Sequence, residues 1–202
     1  MKGLIRKDLY MLWKYMKAML IAVGVFAVLS FAGNNDNLIL TIYPGIITGM
    51  LPMTLLTYDE MEHFCPWCDS LPVTRKDYVT AKYLVGLLIG GATFCLMTVA
   101  QVLRVLLMGG VWGELPLIMS FLAGASVLAP AVMLPFAFKY GTQKGRMIYY
   151  IVIGGSFAAV GVLTEQGGLA VSGGMVIFFV IAAAVYLLSW YLSVRFYQKR
   201  EL

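Results

Sequence analysis

The sequence predicts an all-α, polytopic membrane protein: six transmembrane helices preceded by an N-terminal interfacial amphipathic helix. Three observations carry that expectation. Hydrophobic residues make up 61% of the 202-residue chain and charged residues only 12%, against roughly 45–50% and about 25% in soluble domains. Too little polar surface remains to cover a water-facing globule of this size. Apolar runs then recur at lengths that cross about 30 Å of hydrocarbon at ~1.5 Å per residue. Finally, stretches of alternating apolar and polar residues are missing, which argues against a β-barrel. A mean hydropathy of +0.85 also excludes disorder, which requires low hydrophobicity. The length suits one compact bundle with no separate soluble catalytic domain.

Residues 1–17 are the only strongly amphipathic stretch. Ile5, Leu9, Leu12 and Met16 fall on one helical face, with Trp13 beside it and Arg6, Lys7, Lys14 and Lys17 opposite. Such a segment lies in the headgroup plane; the alternative is a charged start to the first span. Six apolar segments follow, at 18–32, 38–58, 83–103, 115–138, 147–163 and 169–194. Backbone groups in lipid must pair internally, so each segment is read as a helix. Gly45/Gly49 and Gly86/Gly90 have the spacing that lets helices approach closely, which fits packing within the bundle better than dimerisation.

Basic residues orient these spans. Of 15 Lys and Arg, all but Arg104 fall on one side: the N-terminus, the 59–77 loop and start of the third span, the fourth-to-fifth loop and the C-terminus. Both termini are therefore expected in the cytoplasm of a multi-pass cell-membrane protein, with no cleavable signal peptide. The net charge of +5 is read as this membrane bias, and no nucleic-acid partner is expected.

The spans carry no paired carboxylates and no His, which argues against an ion-coupled carrier. A GxxxxGK[ST] phosphate loop is missing from the sequence. The chain is expected to be no enzyme and to bind no cofactor. If it transports, the energy comes from a partner on the cytoplasmic side. Arg104 interrupts an apolar run, with Gln101 on the same helical face. Arg104 either snorkels to the outer headgroups or joins Gln101 in lining a cavity.

The longest polar segment is the cytoplasmic loop 59–77. Its His63 and its Cys65-Pro66-Trp67-Cys68 run offer too few ligands for a closed zinc site and no redox context. The segment reads better as a docking element. Asp59 and Glu60 open it, the apolar Phe64, Trp67, Leu71 and Pro72 occupy its middle, and Arg75 and Lys76 close it. Exposed aromatic and aliphatic side chains on such a loop imply a partner or the lipid interface. Thr74 and Asp77 have the spacing of a capping box that would start the next helix.

The opening Met1-Lys2-Gly3-Leu4-Ile5-Arg6-Lys7-Asp8-Leu9 resembles the start of small six-span permeases of the second ATP-binding-cassette exporter family. Tyr58-Asp59-Glu60, Leu71-Pro72-Val73-Thr74-Arg75-Lys76-Asp77-Tyr78-Val79 and Lys82-Tyr83-Leu84 are similar to that family's cytoplasmic loop. The resemblance is concentrated in the first 90 or so residues. It implies two permease copies, as a homodimer or a close heterodimer, paired with separate ATPase subunits that use ATP and Mg. It also implies a coupling helix within 59–77 and an amphipathic cargo, such as the peptides exported by phenol-soluble-modulin or peptide-antibiotic permeases. The Cys-Pro-Trp-Cys run departs from the family's more polar stretch. Two other readings are a substrate-capturing subunit of a vitamin importer and a thiol or metal protein using Cys65 and Cys68.

Overall fold

The computed structural model describes residues 2–32, 38–62, 64, 74–108, 115–145, 147, 150, 151 and 171–198. Among these residues the chain forms six long helices and no strand: α1 (Lys2–Tyr15), α2 (Lys17–Ala32), α3 (Leu38–Met61), α4 (Arg75–Met108), α5 (Leu115–Tyr140) and α6 (Val171–Gln198). Three stretches, Leu40–Met61, Arg75–Leu107 and Leu122–Tyr140, are long and apolar enough to cross a membrane, and α1 with α2 as one bent pair makes up to four. The segment expected at 147–163 lies almost wholly outside the described residues.

Helix α1 breaks from α2 at Met16, with a 74° bend. Met16 is buried at the elbow, and its amide still reaches Leu12 O at 2.9 Å. The inward face of α1 is Leu4, Asp8, Met11 and Leu12. Of the apolar face read from periodicity, Leu12 and Met16 pack inside the bundle, while Leu9 and Trp13 are exposed. Periodicity assigns every charged residue to water, whereas Asp8 is buried and turns the helix toward its partners.

Helix α4 is continuous from Arg75, eight residues ahead of the span expected from hydropathy. The capping box starts it. Thr74 N donates to Asp77 Oδ2 at 3.3 Å, and Asp77 N donates to Thr74 Oγ1 at 3.2 Å. At its other end α5 stops at Gly141, whose φ of 88° allows its amide to reach Ala137 O at 2.9 Å. Only glycine adopts that left-handed cap without strain.

The core lies along α3, α4, α5 and α6, with α5 packed lengthwise on both α3 and α6. Small residues permit the approach. A Cβ on Gly86 would sit 2.9 Å from Pro52 Cγ, and one on Gly90 would sit 3.4 Å from Ser126. The Gly86/Gly90 pair therefore packs within the chain. Prolines inside α5 leave carbonyls unpaired. Pro135 cannot donate to Ala131 O, and Ser189 Oγ of α6 donates there instead. Tyr83 Oη contacts both Ser189 Oγ and Ser193 Oγ, at 2.6 and 2.7 Å. Since the single Ser189 proton goes to Ala131, Tyr83 donates to Ser189 and Ser193 donates to Tyr83.

Candidate functional site

Polar groups concentrate at two levels of the bundle. At one end Gln101 Nε2 donates to Thr41 Oγ1 at 2.8 Å and to Ser30 Oγ, and the two hydroxyls pair at 2.9 Å. At the other end lies a cluster of ions. Lys82 and Gln101 are 19 residues apart on α4, about 28 Å at the helical rise. That separation matches the hydrocarbon thickness, so the knots lie at opposite faces of the apolar layer. Gln101, one of the two residues that the sequence offers as a possible cavity lining, is 3% exposed with its Nε2 shared between Ser30 and Thr41. Arg104, one turn further, is half-buried.

The ion cluster joins three helices. Lys82 of α4 lies 2.8 Å from Asp8 Oδ1 of α1 and 2.7 Å from Asp59 Oδ2 of α3. Lys7 of α1 lies 2.6 Å from Asp59 Oδ1 and 3.5 Å from Asp8 Oδ1. Tyr78 Oη donates to Asp59 Oδ2 at 2.8 Å. Two cations balance two carboxylates, and Asp8, Asp59 and Lys82 are each 1% exposed. A buried pair is tolerable only with such dense pairing, and removal of one member is costly because it leaves an uncompensated charge. Among the described residues, no buried side-chain nitrogen or oxygen lacks a partner.

Aromatic rings surround the cluster. Tyr78 stacks on Tyr197 with centroids 5.5 Å apart and meets the edge of Phe138 at 6.3 Å. Phe64 lies 6.3 Å from Tyr78, and Lys7 Nζ sits 3.6 Å above the Phe64 ring. That placement is a cation–π contact. Phe64 is thus half-buried against the bundle.

The cluster sits at the root of the segment expected to dock a partner. Asp59 is inside the bundle and not on the surface of that segment, since its carboxylate is taken up by Lys7, Lys82 and Tyr78. Glu60 reaches a second connection, accepting from Thr142 N at 3.1 Å just after the α5 cap. Arg75 is half-buried at the start of α4, while Lys76 is exposed and lies 5.6 Å above the Trp190 ring. Trp190 in turn donates from Nε1 to Thr80 Oγ1 at 3.1 Å. Trp67, Leu71, Pro72, His63, Cys65 and Cys68 lie outside the described residues. Among the described residues no group of three or more His, Cys, Asp or Glu is placed to hold a metal.

Sequence reasoning missed Asp8 and Lys82 as site residues. The signal was opposite charges beside apolar stretches of three separate helices. Asp8 and Lys82 pair across 74 positions, and Lys7 and Asp59 across 52, beyond the reach of local periodicity. Chemically, the carboxylates of Asp8 and Asp59 are taken up by Lys7, Lys82 and Tyr78. The arrangement is a mechanical joint, fixing the two ends of a loop to each other and to a surface helix.

Comparison with known proteins adds one match: the family described as ABC-2 family transporter protein aligns with residues 3–198. No curated protein and no solved structure matches the chain.

Proposed function

The chain belongs to the ABC-2 family of transporter proteins, and from that premise we propose that it is the six-span permease subunit of an ATP-driven exporter. The family implies a membrane component that works with a separate ATPase subunit. In our reading both termini face the cytoplasm, a second permease copy completes the pathway, and ATP and Mg are used by the partner alone. The cargo is hydrophobic or amphipathic, a peptide by preference, because the spans offer few ionised groups to a charged solute.

The observation that carries this reading is the clamped root of the 59–77 loop. Asp59 and Tyr78 join its two ends, Lys7 and Asp8 extend the joint to α1, and Glu60 extends it to the Thr142 turn. A loop held this way passes a push on its tip into three helices together. Trp67, Leu71 and Pro72 would meet the ATPase, with Lys76 and Arg75 at the rim and Phe64 as the inner anchor. Asp59 and Glu60 would brace the joint from within.

Co-purification with an ATP-binding-cassette ATPase and measurement of ATP turnover in lipid nanodiscs test this. The permease alone should show no turnover, and the complex should. Leu71→Asp should insert normally yet lose ATPase stimulation by cargo. Full stimulation in that variant would refute the docking role, and turnover by the permease alone would refute the division of labour. A Cys65→Ser/Cys68→Ser variant should transport normally, as a thiol or metal enzyme would not.

A further inference from the structure

The elbow between α1 and α2 opens onto a groove against α4, with a volume of about 350 Å³. Leu9 and Trp13 of α1, Leu20 and Gly24 of α2, and Leu88 and Leu96 of α4 line it. Its polar lining residue, Thr93, donates its hydroxyl to Ile89 O at 2.9 Å, so the groove presents no unmet hydrogen-bonding group there. Leu88 to Leu96 spans about 12 Å along the helix.

Charge around the groove has one sign. Lys2, Arg6, Lys14 and Lys17 are exposed, whereas Asp8, the acid of α1 and α2, is buried against Lys82. Contrary to the opposite side expected for it from sequence, Arg6 is spaced i, i+3 and i+7 with Leu9 and Trp13 and shares their helical face; Lys17 has the same spacing with Leu20 and Gly24 on α2. The cations that share these lining faces are therefore Arg6 and Lys17, with no exposed acid on either helix. A second copy packed on this face about a two-fold axis would bring the same cations together.

We propose that this groove binds an anionic phospholipid of the surrounding bilayer, with one acyl chain between α1, α2 and α4 and the phosphate between Arg6 and Lys17. Basic pockets beside membrane helices recognise such headgroups, at about fivefold in affinity for each cation near the surface. The inference needs only the membrane location of the chain and is independent of cargo and of transport direction.

Trp13 is 73% exposed and reports on the site. The full-length protein is placed in nanodiscs of phosphatidylcholine containing a minor fraction of acyl-brominated phosphatidylglycerol or, in parallel, acyl-brominated phosphatidylcholine. The Trp13 signal is the difference between wild type and Trp13→Phe. Brominated phosphatidylglycerol should quench it at severalfold lower mole fraction. Arg6→Gln with Lys17→Gln should erase the preference, and Gly24→Phe should reduce quenching by both lipids. A Cβ at Gly24 meets nothing within 4 Å, so folding should survive; Gly24→Leu is the milder filler if it does not. Equal quenching by the two lipids overturns the proposal, as does a preference that survives loss of both cations. Absence of quenching by either lipid also overturns it, because another protein then covers the groove.

Discussion

Tyr78 Oη donates a 2.8 Å hydrogen bond to Asp59 Oδ2, and the two residues bracket the longest polar segment of the chain. Together with the Lys82–Asp59 pair at 2.7 Å, this contact makes the ends of α3 and α4 a closed loop root. Tyr78→Phe keeps the ring against Tyr197 and Phe138 but deletes the donor. A hydrogen bond to a charged group contributes about 1.5–3 kcal/mol, so a moderate fall in melting temperature is expected, and Tyr78→Ala should fall further. If the joint transmits force, Tyr78→Phe should also weaken cargo-stimulated ATP turnover more than it weakens assembly with the ATPase.

Lys82 bridges two carboxylates, so its removal should cost more than that of any surface ion. Lys82→Met leaves Asp8 and Asp59 with Lys7 alone, for an expected loss of about 3–5 kcal/mol. Lys82→Met combined with Asp59→Asn restores charge balance, because Lys7 remains with Asp8. The double variant should therefore be less damaged than the sum of the singles, by roughly 0.5–3 kcal/mol. Thermal unfolding of the four proteins in one detergent measures this, and strict additivity would show that the pair is not coupled.

The capping box was legible in the sequence because both partners lie within one turn. Thr74→Ala should cost about 1 kcal/mol, read most directly as faster amide exchange over the first turn of α4 with little change near Gln101. The ion cluster was not legible for the opposite reason. Asp8, Asp59 and Lys82 stand far apart in the chain, and each looks locally like an ordinary helix-end charge. Hydropathy treats Lys82 as a flank, when its amine is in fact buried and paired.

Two glycines on one helix should respond oppositely to the same change. Gly86→Ala drives a methyl to 2.9 Å from the stiff Pro52 ring, and overpacking of that kind costs roughly 1–3 kcal/mol. Gly91→Ala meets nothing within 4 Å and should gain about 0.5–1 kcal/mol from reduced backbone freedom. Melting temperatures that shift in the same direction would contradict the close α3–α4 contact at Pro52.

Ser189 substitutes for the amide proton that Pro135 lacks, by donating to Ala131 O. Ser189→Ala therefore leaves a buried carbonyl without a donor and takes an acceptor from Tyr83. The expected loss is about 1–3 kcal/mol. Pro135→Ala returns an amide to the same carbonyl, so Ser189→Ala should be milder in that background than in wild type. An equal cost in both backgrounds would mean that Ser189 acts through Tyr83 and Ser193 and not through the proline break. The distinction matters for motion. A carbonyl held by a neighbouring helix ties α5 to α6 at the break, whereas a restored amide would free α6 and straighten α5. If transport requires the two helices to move as one unit, Ser189→Ala/Pro135→Ala should keep near-normal stability and still transport poorly.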